Sequence, residues 1–149
     1  LDGVQGVHAS QLKHVYEQMA CAYESKEDFE NAASSCYQAL AQMMIMNPSP
    51  TSADFANIYH HLGNAHFGLK NHQAALGFYE MAVRMSVASD PSPSLLAQRY
   101  EKLGVTWKSC GRAEQARDFL GKALELYRQN GDGNGDDVRR VEELRRNMD

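Results

Sequence analysis

The sequence predicts an all-α fold of three stacked helical hairpins followed by one closing helix. Three observations predict it. Apolar and small residues recur at helical spacing rather than in strict alternation. One residue pattern returns three times, with its small first-helix member at Ala20, Gly63 and Gly104, 43 and 41 residues apart. Turn-forming punctuation separates the copies, at Pro48-Ser49-Pro50, Pro91-Ser92-Pro93 and the Gly/Asp-rich run Asn130–Asp137.

The clearest copy is Tyr59–Met85, YHHLGNAHFGLKNHQAALGFYEMAVRM. Tyr59, Leu62, Gly63 and His66 share one face of a first helix, and Ala75, Tyr79 and Ala82 share one face of a second. Gly63 and Ala75 lack bulk, so the two helices approach closely there. Tyr59, Phe78 and Tyr79 fill the surrounding space. Downstream, Tyr100, Leu103, Gly104 and Trp107 repeat the first set, and Ala116, Leu120 and Ala123 repeat the second. Upstream, Tyr16, Met19, Ala20 and Tyr23 open a looser copy that Ala32, Cys36 and Ala39 close. A single hairpin of this kind cannot bury its apolar face alone. A period of this length marks a stacked array.

Taken in order, residues 1–9 are expected as an irregular lead-in, with Ser10 capping a helix over Gln11–Glu24. Asp28 caps Phe29–Met46, which Asn47 and Pro48 stop. Thr51 or Ser52 starts a third helix running to Leu69, and the fourth covers Gln73–Ala88. The fifth starts at Ser94 and ends near Cys110, where Gly111 stops it. The sixth covers Ala113–Gln129. The hairpins thus occupy about 10–47, 51–89 and 94–130, followed by a linker at 131–136 and a capping helix at 137–149. That last helix sets Val138, Val141, Leu144 and Met148 on one face, with arginines elsewhere beside Glu142 and Glu143. A terminal element with a polar outer face is what a stacked array needs, and no such cap precedes the first hairpin. Met43, Met44 and Met46 read as gap-fillers in the core.

The order aromatic, Leu, Gly, aromatic, then Ala, aromatic or Leu, Ala resembles the tetratricopeptide repeat (TPR), over roughly residues 13–130. The lengthened spacing is similar to that of kinesin light chains and of Pins-type polarity adaptors. The resemblance implies a right-handed superhelix whose first helices line a concave groove, serving as a scaffold that binds a peptide or helix of a partner protein. Matching positions place His14, Glu17, Gln18, Cys21 and Glu24 on that surface, then Asn57, His60, His61, Asn64 and Phe67, then Gln98, Glu101, Lys102, Val105 and Lys108. The peptide-binding set expected from these is Glu17, Gln18, Cys21, Asn57, His60, His61, Asn64, Phe67, Glu101, Lys102 and Lys108. Asn64 suits a peptide backbone, because its amide both donates and accepts. The family's carboxylate clamp for chaperone C-termini falls on Glu17, Cys21, His61, Gln98 and Lys102, of which only Lys102 fits. Glu17 would repel a terminal carboxylate, so chaperone docking is not expected.

Composition and motifs point the same way. A net charge of −4 gives no reason to expect nucleic acid or membrane as a partner. No run of apolar residues reaches membrane-spanning length. Three widely spaced cysteines form neither a disulfide framework nor a zinc site, and they suit the reducing cytoplasm. Cys36, at a core repeat position, is expected to be inert. No catalytic motif is present, so no enzyme activity and no cofactor are expected. His60, His61 and His66 lack the i,i+4 spacing of a helical metal pair and read as structural or groove-lining. Asn130, Asp132, Asn134, Gly135 and Asp136 imitate the start of an EF-hand loop, but Val141 stands where the bidentate Glu is required. A flexible linker is the expectation there, not a calcium site. The second functional reading is a structural or self-association module, motivated by the uncapped first hairpin.

Overall fold

The computed structural model describes residues 2–46, 53–89, 92–131 and 135–148. Among them are α1 (Asp2–Ser25), α2 (Phe29–Met46), α3 (Ala53–Gly68), α4 (His72–Ala88), α5 (Pro93–Ser109), α6 (Ala113–Gln129) and α7 (Asp136–Arg146), with no strand. The helices pack in chain order: α1 on α2, α3 on α4 and α5 on α6 as hairpins, α2 on α3 and α4 on α5 between hairpins, and α7 on α6. α1 also touches α3, so the first helices of the first two hairpins lie side by side.

The three hairpins turn in the same way. Each first helix ends in a residue of positive φ, at Glu27 (57°), Lys70 (65°) and Gly111 (76°). The following amide then donates back to a carbonyl five residues earlier: Asp28 to Tyr23 (2.8 Å), Asn71 to His66 (2.9 Å) and Arg112 to Trp107 (3.0 Å). This is a Schellman-type closure, which satisfies carbonyls that the helix end leaves unpaired. Side-chain caps start the next helices at Asp28, which accepts from the Asn31 amide, and at Asn71, which accepts from Ala74.

The repeat residues form the core. Ala20, Ala32, Cys36, Ala39, Ala75, Ala82, Ala116, Leu120 and Ala123 are fully buried. At Gly63 a methyl group would stand 2.6 Å from the Tyr79 ring, and at Gly104 it would stand 2.8 Å from Leu120. The close approach expected of small residues is therefore filled by the side chain at the matching position of the second helix. Tyr59 stacks on Phe78, and Tyr100 stacks on Phe119 at the equivalent place one hairpin later.

Four expectations are corrected. The first helix begins at Asp2, not after Ser10. Gly3 and Gly6 weaken residues 2–9, but no proline removes an amide, so the helical ladder of the following segment propagates backward through them. The fifth helix begins at Pro93 with Ser92 as its cap, not at Ser94. Proline fits a first helical position because its missing N–H would be unpaired there anyway. Met43 is buried, but Met44 and Ile45 are 55% and 65% exposed, since they lie on the face of α2 turned away from both neighbouring helices. Met19 is 37% exposed although its counterparts Leu62 and Leu103 are buried, because those pack on a preceding hairpin and α1 has none among the described residues. Pro48, Pro50, Pro91, the Thr51/Ser52 cap and residues 132–134 of the EF-hand-like run lie outside the described residues.

Candidate functional site

The first helices bring many of the expected groove residues together, but largely by bonding them to one another. His61 joins α1 to α3. Its Nδ1–H donates to Glu24 Oε1 at 3.0 Å, which leaves Nε2 to accept from the Cys21 thiol at 3.8 Å. Partial burial, then the Glu24 and Glu17 carboxylates, push that thiol's pKa up, so Cys21 is held protonated. Asn64 Oδ1 accepts the buried Tyr79 hydroxyl. Asn57 Oδ1 accepts from the Arg99 guanidinium. Glu17 pairs with Lys13 at 3.7 Å, and Gln18 bonds His14 at 3.0 Å. His60 packs against the Tyr79 ring, 5.5 Å between centroids. Burial, then the Arg99, His61 and Lys102 charges, bring its pKa from 6.5 to about 3, so the ring is neutral.

Glu101 is engaged by α7. Arg140 Nε and Nη2 donate to its two oxygens at 2.9 and 2.7 Å, and the Tyr127 hydroxyl donates at 3.0 Å. Arg140 also pairs with Asp137 at 2.8 Å. These bonds to carboxylates, Glu101 first, raise the Arg140 pKa further above its already high value. The closing helix thus reaches the inner surface of the array as well as covering α6.

Lys102 is exposed. It forms the wall between two pockets. One, of about 280 Å³, is lined by Glu24, Phe29, Asn64, Phe67, Gly68, Tyr79 and Lys102. Its walls come from all three hairpins, and its floor is aromatic. Phe67 is braced edge-on by His72, 4.8 Å between ring centroids. The second pocket, of about 410 Å³, is polar and lined by His60, Gln98, Glu101, Lys102, Tyr127, Asp137 and Arg140. Of the expected set, Asn64, Phe67 and Lys102 line the first pocket, and His60, Glu101 and Lys102 line the second. Glu17, Gln18, Cys21, Asn57, His61 and Lys108 line neither pocket.

Sequence reasoning missed Phe29, Tyr79, Tyr127 and Arg140 as pocket walls. Tyr79 and Tyr127 carried a readable signal: a phenol at a buried repeat position must place its hydroxyl against a polar partner. Among the described residues no three His, Cys, Asp or Glu side chains converge as a metal-ligand set. No helix among them is long and apolar enough to cross a membrane.

Stacked hairpins of this register, closed by a last helix, define a helical repeat protein. Models of the tetratricopeptide repeat match residues 14–41, 55–88 and 96–130. The chain belongs to the tetratricopeptide repeat family, a class of fold that mediates protein–protein interactions. A TPR-like protein from Chlorobium tepidum is similar over 97% of this chain and 96% of its own, at 16% identity and a TM-score of 0.79. Nearly identical TPR-like repeats assigned to a kinesin light chain of Podospora anserina align over 95% of this chain and 66% of theirs, at 14% identity and a TM-score of 0.79. The N-terminal domain of stress-induced protein-1 from C. elegans aligns over 91% and 96%, at 18% identity and a TM-score of 0.67. A search of curated protein sequences found no match.

Proposed function

We propose that this array is a protein-interaction scaffold that binds an extended peptide of a partner along the inner surface, centred on Lys102. The observation that carries the reading is the aromatic pocket built from all three hairpins, with an exposed cation on its rim. Phe29, Phe67 and Tyr79 offer an apolar side chain a place to bury, where an exposed Phe or Leu gains roughly 1.5–3 kcal/mol. Lys102 offers a carboxylate or a peptide carbonyl a charged partner beside it. Because Asn64 and His61 already hold Tyr79, Glu24 and Cys21, they act as supports rather than as free hands for the ligand. The reading places the protein in the cytoplasm, where its three cysteines stay reduced, and assigns it no enzymatic activity.

The test is selection of a random peptide library on the wild-type chain, followed by affinity measurement on Phe67→Ala and Lys102→Glu variants. An enriched apolar-plus-acidic consensus whose binding weakens about ten-fold in either variant supports the pocket. No enrichment, or affinity indifferent to both substitutions, refutes it. The groove is not read as a chaperone dock, because Glu17, Cys21 and His61 replace clamp cations and amides. Amidating the C-terminus of a chaperone tail peptide should leave any binding unchanged, and a loss on amidation would refute that exclusion.

A second reading, self-association, rests on α1. Val15 and Met19 are 48% and 37% exposed, whereas Ile58 and Leu62 at the matching positions of α3 are fully buried. Concentration-dependent mass in sedimentation, abolished by Met19→Glu, would favour it. A monomer at every concentration would count against it.

A further inference from the structure

The far side of α7 carries a second, cationic cleft. It lies between α6 and α7, measures about 510 Å³, and is lined by Arg117, Leu124, Arg128, Glu142, Arg145 and Arg146. We propose that this cleft binds a linear acidic segment of a partner protein, at a surface separate from the inner pockets.

Charge is the first argument. The chain carries −4 overall, yet four of the six residues lining this cleft are arginines. Among its described lining residues the one carboxylate, Glu142, is already bonded to Arg128 at 2.7 Å. Arg145 and Arg146 add two guanidinium charges beside the Arg128–Glu142 pair, and a bound anion would offset them. The macrodipole of α7 favours a cation in the last turn, but by only ~0.3–1 kcal/mol and without preference for a face. It does not explain why Arg145 and Arg146 meet arginines of α6.

Position is the second argument. Arg140 lies on the opposite side of α7, bonded to Glu101 and Asp137, and that side suffices to dock the helix. Val138 and Val141 bury the apolar seam. Arg145 lies along α6 beside Gly121, where a methyl group would stand 3.5 Å from its guanidinium. Among the described residues no carboxylate pairs with Arg145 or Arg146 within salt-bridge distance. Both line the cleft, and an arginine fork can take a carboxylate two oxygens at a time.

Length is the third. From Arg117 to Arg128 the helix rises roughly 16 Å at 1.5 Å per residue, which an extended peptide covers in about five residues. Leu124, at the floor, offers one apolar contact. The fitting ligand is a short run of Asp or Glu around one apolar side chain.

The experiment is fluorescence anisotropy with a labelled peptide of Glu residues flanking a central Leu, on the full chain carrying Phe67→Ala so that the inner aromatic pocket does not compete. Binding should weaken with added salt and fall about ten-fold or more in Arg145→Glu/Arg146→Glu, with an intermediate loss in Arg145→Gln/Arg146→Gln. Lys26→Glu, the same charge change at an exposed position outside all these pockets, should leave it unchanged. Circular dichroism of the variants checks that α7 still forms. No binding at low salt, or binding untouched by the charge reversal, overturns the proposal. A loss in Lys102→Glu with Arg145→Glu/Arg146→Glu unaffected would move the peptide to the inner surface and overturn it too. Cosedimentation with phosphatidylserine vesicles in the absence of peptide binding would assign the cleft to a membrane surface, against the proposal.

Discussion

Replacing Gly63 by Ala tests the close approach on which each hairpin depends. A helix interior ordinarily gains about 1 kcal/mol from such a change. Here the new methyl would sit 2.6 Å from two carbons of the Tyr79 ring and 3.0 Å from a third. Tyr79 has little room to yield: it is 2% exposed, its hydroxyl is bonded to Asn64, and His60 lies against its ring. Overpacking of a filled core costs ~1–3 kcal/mol, and displacing the hydroxyl adds about 1 kcal/mol. Set against the propensity gain, the net loss is about 2 kcal/mol, or roughly 5 °C in Tm for a domain of this size. Gly77→Ala is the matched control, because it also lies inside a helix but has nothing within 4 Å of the new methyl. It should gain about 1 kcal/mol. The assay is urea denaturation and thermal melting of both variants beside the wild type. Equal stabilisation by the two alanines would refute the packing argument.

Two further outcomes follow from the same geometry. His60 has a folded-state pKa lowered from 6.5 to about 3, and burial lowers that of His66 as well. The unfolded chain binds these protons first, so stability is complete above about pH 6.5 and declines as pH falls from there toward 3, by up to ~1.4 kcal/mol per unit for His60. His60→Phe should flatten the decline between about pH 7 and pH 5, and the wild-type His60 ring should show no NMR titration in that range; a titration near 6.5 would refute its burial. Val141 is fully buried between α7 and α6, so Val141→Asp should release α7 and break the Arg140–Glu101 contact while the hairpins persist. Hydrogen exchange should then rise across 136–148 alone, and protection retained in α7 would show that Val141 does not hold it.

The fold was legible because its determinants are repeated. A small residue at Ala20, Gly63 and Gly104 and an alanine pair seven residues apart on each second helix (Ala32/Ala39, Ala75/Ala82, Ala116/Ala123) report packing directly, since burial selects size and apolarity. What was illegible lay where no repeat informs the reading. Residues 2–9 have no counterpart in the other hairpins, and helix propagation decided them rather than a cap. Arg99 occupies the position of Ile58 and is 2% exposed, a substitution that the pattern alone would have excluded. Its guanidinium reaches back to Asn57, so a polar pair replaces an apolar contact at that one interface.

The inner surface shows why sites are harder to read than folds. Position in the repeat gave an expected inner face, but not which of its polar groups are already satisfied. Asn64 resembled a peptide-gripping amide, yet its oxygen holds Tyr79, and Tyr79 in turn blocks any enlargement of Gly63. Glu101 resembled a free carboxylate, yet α7, forty residues on, supplies Arg140 to neutralise it. Both bonds remove a group that the sequence offers to a ligand, and both harden the walls beside Lys102. An inner surface with fewer free polar groups but a fixed aromatic floor loses less entropy on binding, because the pocket is formed before the ligand arrives. By that argument, disrupting the supports should weaken a groove peptide without touching it. Tyr79→Phe removes only a hydroxyl that faces Asn64, yet it should lower affinity for a ligand of the aromatic pocket. Unchanged affinity in Tyr79→Phe would mean that the floor is rigid without that bond.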